Sequence, residues 1–156
     1  MTSAALAIVD TRGFDALTLS AVADDLAPLA GRLGVSLQVS APPGLWSTAE
    51  TTLLQTALRN LVENALHASP PGEAVSATLS LESAGAVFEI RDRGPGISDA
   101  ERPHVTERFF RGAGATTSGS GLGLAIVATA AARMGGALHL SPREGGGECA
   151  RLILPR

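Results

Sequence analysis

The chain has 156 residues and a formal net charge of −3, which fits a single domain and gives no basic surface for nucleic acid. All twelve basic side chains are arginine, because the sequence contains no lysine. A P-loop and a protein-kinase ATP site each need a lysine beside the phosphates, so both of these designs are excluded. The single cysteine, Cys149, cannot form an intrachain disulfide, and its apolar neighbours predict a buried strand position.

No stretch of the sequence approaches the roughly 18 consecutive apolar residues that a transmembrane helix needs. The first ten residues also lack the basic and apolar regions of an export signal. We therefore expect a cytoplasmic domain that does not itself insert into a membrane.

The sequence of residues 1–39 predicts a linker, a helix and a strand. Residues 1–16 carry little pattern and are assigned to a linker remnant or a disordered N-terminus, which leaves 17–156 as the domain. Apolar residues recur at helical spacing from Leu19 to Leu33, and Pro28 among them predicts a kink or two short helices. Residues 35–39 then alternate as a strand does.

A second helix is predicted from a capping box at Ser47–Glu50 to about Ala68. Asn60, Asn64 and His67 recur every three or four residues, so they share one edge of this helix beside its apolar stripe. Polar groups in such a position need partners. Either loop backbone or a ligand could supply them.

Two alternating runs, 74–81 and 86–92, predict an antiparallel hairpin. On its second strand, Asp92 shares a face with two apolar residues, so its carboxylate points toward the interior. The following turn contains Gly94 and Gly96, which remove bulk beside that carboxylate. This pattern favours the floor of a ligand pocket, and the alternative is a strand-end aspartate that caps the turn.

The composition of residues 93–120 predicts a long loop with a short helical piece around 99–109. The loop leads through Gly119, Gly121 and Gly123 into a helix predicted from about Leu122 to Met134. Glycines before a helix N-terminus are typical of a phosphate site, although this spacing is not that of a dinucleotide fingerprint. Two last strands, 137–140 and 149–154, complete a pattern that predicts helices on one face of a largely antiparallel sheet.

Taken together, these three motifs closely resemble the catalytic, ATP-binding domain of sensor histidine kinases, over about residues 17–156. Residues 107–112 resemble the F-box of that family, and Gly121–Val127 is similar to its glycine-rich helix start. The resemblance implies the Bergerat fold, an α+β two-layer α/β sandwich. Its mixed, mostly antiparallel sheet is covered on one face by about three helices.

The resemblance also implies roles for individual residues. Asn64 would ligate Mg²⁺, Asn60 would help to hold the phosphates, and Asp92 would accept a hydrogen bond from the N6 amine of adenine. Arg111 would reach the γ-phosphate, and residues 112–120 would form the ATP lid. The implied catalytic residues are Arg111 and Asn60. The implied nucleotide-binding set is Asn60, Asn64, His67, Asp92, Gly94, Gly96, Ile97, Arg111, Gly119, Gly121, Leu122, Gly123 and Leu124.

Three positions depart from the family pattern. His67 stands where a basic residue is usual, Ala68 where an aromatic ring or histidine is usual, and Thr106 where the F-box begins with phenylalanine. None of the three histidines, which include His104 and His139, has the sequence context of a phosphoacceptor.

The implied function is that of an Mg-ATP-dependent histidine protein kinase domain. It would act on a histidine of a separate dimerisation domain, and through that domain on a cognate response regulator. The parent kinase can be membrane-anchored. Two alternatives stay open: a serine kinase of the same fold that restrains a sigma factor, and a degenerate nucleotide-sensing interaction module.

Overall fold

The structure is a computed structural model that describes residues 3–42, 50–107 and 123–155, with side chains from residue 16 onward. Its elements follow the predicted order. They are α1 (Ser3–Leu33), β1 (Ser36–Ser40), α2 (Thr51–Ala68), β2 (Ala74–Glu82), β3 (Gly85–Arg91), a 3₁₀ helix (Arg102–His104), α3 (Gly123–Arg133), β4 (Ala137–Pro142) and β5 (Glu148–Leu154).

The five strands form one mixed sheet in the order β1-β2-β3-β5-β4. Only the β1–β2 pair is parallel, and the other three pairs are antiparallel. The central strand β3 buries Phe88 and Ile90, which meet the buried leucines of α2 such as Leu58 and Leu66. The predicted α+β sandwich, with three helices on a mostly antiparallel sheet, is therefore confirmed.

The first helix differs from the prediction in two ways. It runs as one helix from Ser3 to Leu33 with Pro28 inside it, so of the two expectations, a kink or two short helices, the second is wrong. Pro28 and Asp24 are both exposed, and the carbonyl that the proline cannot pair with is that of Asp24, four residues earlier. Water can satisfy this carbonyl, and the helix continues. It also begins at Ser3, within the segment assigned to a linker or a disordered N-terminus.

The start of α2 also differs from the prediction. Glu50, and not Ser47, is the N-cap, and Ser47 lies outside the described residues. The Glu50 carboxylate accepts hydrogen bonds from the backbone N–H groups of Thr52 (2.9 Å) and Leu53 (3.0 Å). These two bonds lower the pKa of Glu50. The helix ends at Ala68 as predicted, where Ser69 N–H donates to Ala65 O.

In the described ranges, none of the helices has both the length and the apolar character that a bilayer crossing requires.

Candidate functional site

The two asparagines of α2 lie against the first residue of α3. A β-carbon placed on Gly123 would lie 3.1 Å from Asn64 Nδ2, 3.2 Å from Asn64 Oδ1 and 3.5 Å from Asn60 Oδ1. A side chain at this position would require the Asn64 amide to shift by a few tenths of an ångström. Asn60 donates from Nδ2 to Thr56 O at 2.8 Å, which leaves its Oδ1 toward α3. The structure thus brings together two motifs that are 59 residues apart in the sequence, at Asn64 and Gly123.

Asp92 follows the last residue of β3, the central strand, and is only partly exposed. Its Oδ1 accepts hydrogen bonds from the backbone N–H groups of Gly94 (2.9 Å) and Glu148 (3.0 Å). Burial raises the pKa of Asp92 and outweighs these two bonds, which lower it; the nearby Glu148 carboxylate raises it further. Within the described part of the chain, both hydrogen bonds end on Oδ1, so Oδ2 is available to another donor.

The turn after Asp92 is fixed to the end of α2. Arg93 N–H donates to the buried Ser69 Oγ at 3.0 Å. A β-carbon on Gly94 would lie 2.6 Å from Ala68 O, so the missing side chain there makes room for the end of α2. Gly96 has a φ of +78°, in the left-handed region that glycine favours. Asp92 and the polar edge of α2 are therefore held in one rigid arrangement.

A cavity of about 590 Å³ opens between the end of α2 and this turn. His67, Ala68 and Ser69 line it from the helix, and Arg93, Gly94 and Pro95 line it from the turn. His67 thus lies at this cavity, on the side of α2 that carries Ala68. The small side chain of Ala68 contributes to its width.

A second turn packs against Asp92 from the other side. It joins β4 to β5, and its Arg143 donates from Nη1 to Asp92 O at 3.1 Å. Arg93 Nη1 in return donates to the backbone oxygens of Glu144 and Gly146, each at 3.2 Å. Gly147 has a φ of +108°, and a β-carbon there would lie 2.1 Å from Asp92 O.

One part of the site has no counterpart in the sequence analysis, namely an ion pair between Arg102 and Glu148. Arg102 donates from Nε to Glu148 Oε2 (2.9 Å) and from Nη2 to Oε1 (3.1 Å). Ile97 N–H donates to the same Oε1 at 3.2 Å. The only hint in the sequence is that an acidic residue begins a largely apolar final strand.

The remaining predicted residues are placed as follows. Leu124 packs on the edge of the core from α3, and Thr106 is partly exposed after the 3₁₀ helix. Cys149 is buried, as predicted, and burial raises the pKa of its thiol. Arg111, Gly119, Gly121, Leu122 and the predicted lid at 112–120 lie outside the described residues. Among the described residues, no group of three or more His, Cys, Asp or Glu side chains could hold a metal ion.

Two amides on one edge of α2 thus lie against the start of α3, and the partly buried Asp92 carboxylate precedes a turn that is bonded to the end of α2. The profile of the family described as "Histidine kinase-, DNA gyrase B-, and HSP90-like ATPase" matches residues 49–156. The chain belongs to this family of ATP-binding domains.

Sensor histidine kinases are among its relatives. The sensor-like histidine kinase SenX3 of Mycobacterium tuberculosis is 39% identical over 150 residues, which are 94% of this chain and 35% of that protein. The solved mycobacterial sensor histidine kinase MprB is 32% identical, with a TM-score of 0.82 over 90% of this chain and 94% of that one. The ATP-binding domain of PrrB from M. tuberculosis is 31% identical, with a TM-score of 0.69 over 88% and 90% of the two chains. The chain thus spans about a third of the length of the curated relative SenX3.

Proposed function

We propose that this chain binds Mg-ATP and serves as the catalytic domain of a two-component sensor histidine kinase. In this role it supplies the γ-phosphoryl group to a histidine on a separate dimerisation domain. The observation that carries the proposal is the approach of Asn60 and Asn64 to Gly123 at the start of α3. It is supported by relatives that are named sensor histidine kinases, and none of those reported above is named a serine kinase.

Asn64 fits the role of a magnesium ligand. Mg²⁺ is usually bound in nucleotide sites by one or two protein oxygens, together with waters and phosphate oxygens, so a dedicated cage of carboxylates is not required. The Asn64 side chain is exposed and makes no hydrogen bond to another described residue, so its Oδ1 is available. Bound there with ATP, the ion would neutralise charge on the phosphate oxygens.

Asp92 is proposed to select adenine. Its Oδ2 can accept from the N6 amine of the base, whereas the O6 carbonyl of guanine would face a second acceptor. A buried pair of acceptors with no proton between them costs about 1–3 kcal/mol. The fixed turn from Asp92 to Ile97 would hold the base, with Gly94, Gly96 and Ile97 at its edge.

The triphosphate is proposed to extend from the base toward the start of α3. With no lysine in the chain, its charge would be met by the backbone N–H groups of residues 121–124, by Asn60 and by Arg111. Gly119, Gly121, Leu122 and Gly123 would leave the backbone accessible to phosphate oxygens. Arg111 is proposed to contact the γ-phosphate and to stabilise the charge that develops there during transfer. His67 is proposed to donate an imidazole N–H to a phosphate oxygen.

The phosphoacceptor is proposed to lie on another domain. His104 pairs with Glu107 at 3.2 Å, and His139 lies exposed on β4, so neither has a place at the asparagine edge of α2. The phosphorylated histidine of the dimerisation domain would then pass its phosphoryl group to a cognate response regulator.

Replacing Asn64 by alanine tests the proposal. The Asn64→Ala variant should lose most of its Mg²⁺-dependent ATP affinity, by at least about tenfold, which corresponds to about 1.4 kcal/mol. The affinity measured with EDTA should change much less, since the side chain acts on the metal. Isothermal titration calorimetry with and without Mg²⁺ measures both.

The control is Gln55→Ala, which removes an exposed amide from the same helix. This variant should bind Mg-ATP as the wild type does. Equal Mg²⁺-dependent affinity in the wild type and in Asn64→Ala would contradict the metal role of Asn64.

A further inference from the structure

The Glu148 carboxylate is buried at the start of β5, with 5% of the residue exposed. It receives three hydrogen bonds, two from Arg102 and one from Ile97 N–H. Its backbone also pairs in both directions with Asp92. Glu148 N–H donates to Asp92 Oδ1, and Asp92 N–H donates to Glu148 O, each at 3.0 Å. A single residue therefore holds both ends of the turn from Asp92 to Ile97.

Arg102 completes this attachment. Besides its two bonds to Glu148, it donates from Nη2 to Ile97 O at 2.6 Å and from Nη1 to Asp99 Oδ1 at 2.5 Å. Its planar guanidinium fork matches a carboxylate with two parallel bonds, which a lysine could not do. The bonds to Glu148 raise the pKa of Arg102, so its guanidinium stays charged.

The ion pair affects Asp92 through both geometry and charge. A buried carboxylate without its cation is costly, so Glu148 would move toward water if Arg102 were lost. Because the Glu148 N–H is bonded to Asp92 Oδ1, this movement would displace the Asp92 carboxylate. The Glu148 charge also acts directly on Asp92 and raises its pKa, and the Arg102 guanidinium is paired with that same carboxylate.

We propose that Arg102 and Glu148 are positioning residues for recognition of the nucleotide base, and that they aim the free Oδ2 of Asp92 at the N6 amine. The ion pair lies at the start of β5, where it joins Glu148 to the turn at Ile97 and to Asp99. The inference rests on the proposed function, in which Asp92 accepts from adenine.

The probe is purine riboside triphosphate, which is ATP without its N6 amine. The ratio of the two dissociation constants measures the hydrogen bond to Asp92 alone, because sugar, phosphates and Mg²⁺ are shared. A hydrogen bond to a charged group is worth about 1.5–3 kcal/mol, so the wild type should prefer ATP by about tenfold or more. In Arg102→Met and Glu148→Gln, this preference should fall at least about threefold, while the affinity for the purine analogue stays nearly constant.

The matched control is Arg151→Met, on the same strand. Arg151 pairs with Glu82 on the sheet, away from Asp92, so its loss removes an arginine ion pair but should leave the preference for ATP unchanged. A double-mutant cycle with Asp92→Ala adds a second check. Without the Asp92 carboxylate, Arg102→Met should no longer alter the ratio.

Circular dichroism shows whether each variant is folded, and Arg102→Lys, which keeps the charge but loses the fork, replaces Arg102→Met if the latter unfolds. Folded variants that keep the wild-type ratio would overturn the positioning role and leave the proposed function intact. A wild type that binds ATP no better than the purine analogue would overturn the adenine role of Asp92. A wild type that binds neither nucleotide would overturn the proposed function.

Discussion

The Asp92 carboxylate is in a position that suits binding better than stability. Burial raises its pKa even though two backbone N–H groups donate to Oδ1. The folded domain therefore favours the protonated acid more than the unfolded chain does. For such a group, the contribution to stability is present below the unfolded pKa of about 3.9 and is lost as pH rises through the folded pKa.

The Asp92→Asn variant should consequently be more stable than the wild type at pH 7, while it binds ATP more weakly. The amide oxygen can still accept from Gly94 and Glu148, but the amide nitrogen would meet the N6 amine of adenine. The gain in the free energy of unfolding should shrink as pH falls from 7 toward about 4, because the folded pKa is raised and the wild-type carboxyl is progressively protonated over this range. Urea unfolding of the ligand-free domains at both pH values measures this gain.

The exposed carboxylate of Asp24 on α1 provides a control. Asp24→Asn should show no comparable gain that depends on pH. If Asp92→Asn were less stable than the wild type at pH 7, the carboxylate would be a net stabilising group, contrary to its raised pKa. The same variant should also narrow the advantage of ATP over GTP, and an undiminished preference would remove Asp92 from the adenine role.

At the scale of elements, the site depends on how closely the β4–β5 turn approaches Asp92. Gly147 and Gly146 have nearly the same left-handed φ, +108° and +111°. They differ in their surroundings, because a β-carbon on Gly147 would lie 2.1 Å from Asp92 O, whereas on Gly146 it would have nothing within 4 Å.

Substituting alanine for Gly146 and for Gly147 distinguishes the effect of backbone strain from the effect of a β-carbon close to Asp92 O. Each variant should lose about 1–3 kcal/mol of unfolding free energy to the strained φ. Gly147→Ala should lose more than Gly146→Ala, and it alone should also weaken ATP binding, because the turn must move away from Asp92. Chemical denaturation and calorimetry give the two quantities. Equal effects of the two substitutions on stability and on affinity would contradict a special role for the close approach of Gly147 to Asp92 O.

Most of the helices and strands were predictable, because the sequence patterns that indicate them are local. The apolar periodicity of α2 and the alternation of β2 and β3 gave elements within a few residues of those observed. The N-cap was wrong because Ser47 and Glu50 are both good caps, and the sequence does not tell which one begins the helix. The Arg102–Glu148 pair joins residues 46 apart, and neither partner has a sequence context that points to the other.

At the scale of the whole molecule, the three motifs were predictable as a set because each belongs to a recognisable local pattern. The distances between the motifs were not predictable, because only the folded chain brings Gly123 next to Asn64 and Glu148 next to Asp92. The absence of lysine limits which groups can meet the charge of a bound triphosphate. In the proposed function, a chain whose net charge is −3 and whose only permanent side-chain cations are arginines would bind a triphosphate through N–H groups, a metal ion and a few guanidinium groups.

Phosphoryl transfer in trans tests this arrangement as a whole. The domain is mixed with the isolated dimerisation domain of its parent kinase and with γ-labelled ATP. Label should appear on a histidine of that domain, recognised because phosphohistidine is stable to alkali and labile to acid. Arg111→Ala should slow the transfer by about 100-fold, since it removes a fixed cation from the developing charge. The affinity for ATP should fall much less.

Arg133→Ala is the control for this experiment, because Arg133 is an exposed arginine at the far end of α3. The Arg133→Ala variant should transfer the phosphoryl group at the wild-type rate. A slower rate in Arg111→Ala alone can then be assigned to the position of that arginine and not to the change in net charge. Acid-stable label on a serine would indicate the sigma-factor type of kinase. Binding of ATP with no transfer to any side chain would indicate a nucleotide-sensing module, in which the departures at His67, Ala68 and Thr106 have removed catalysis while leaving the nucleotide site in place.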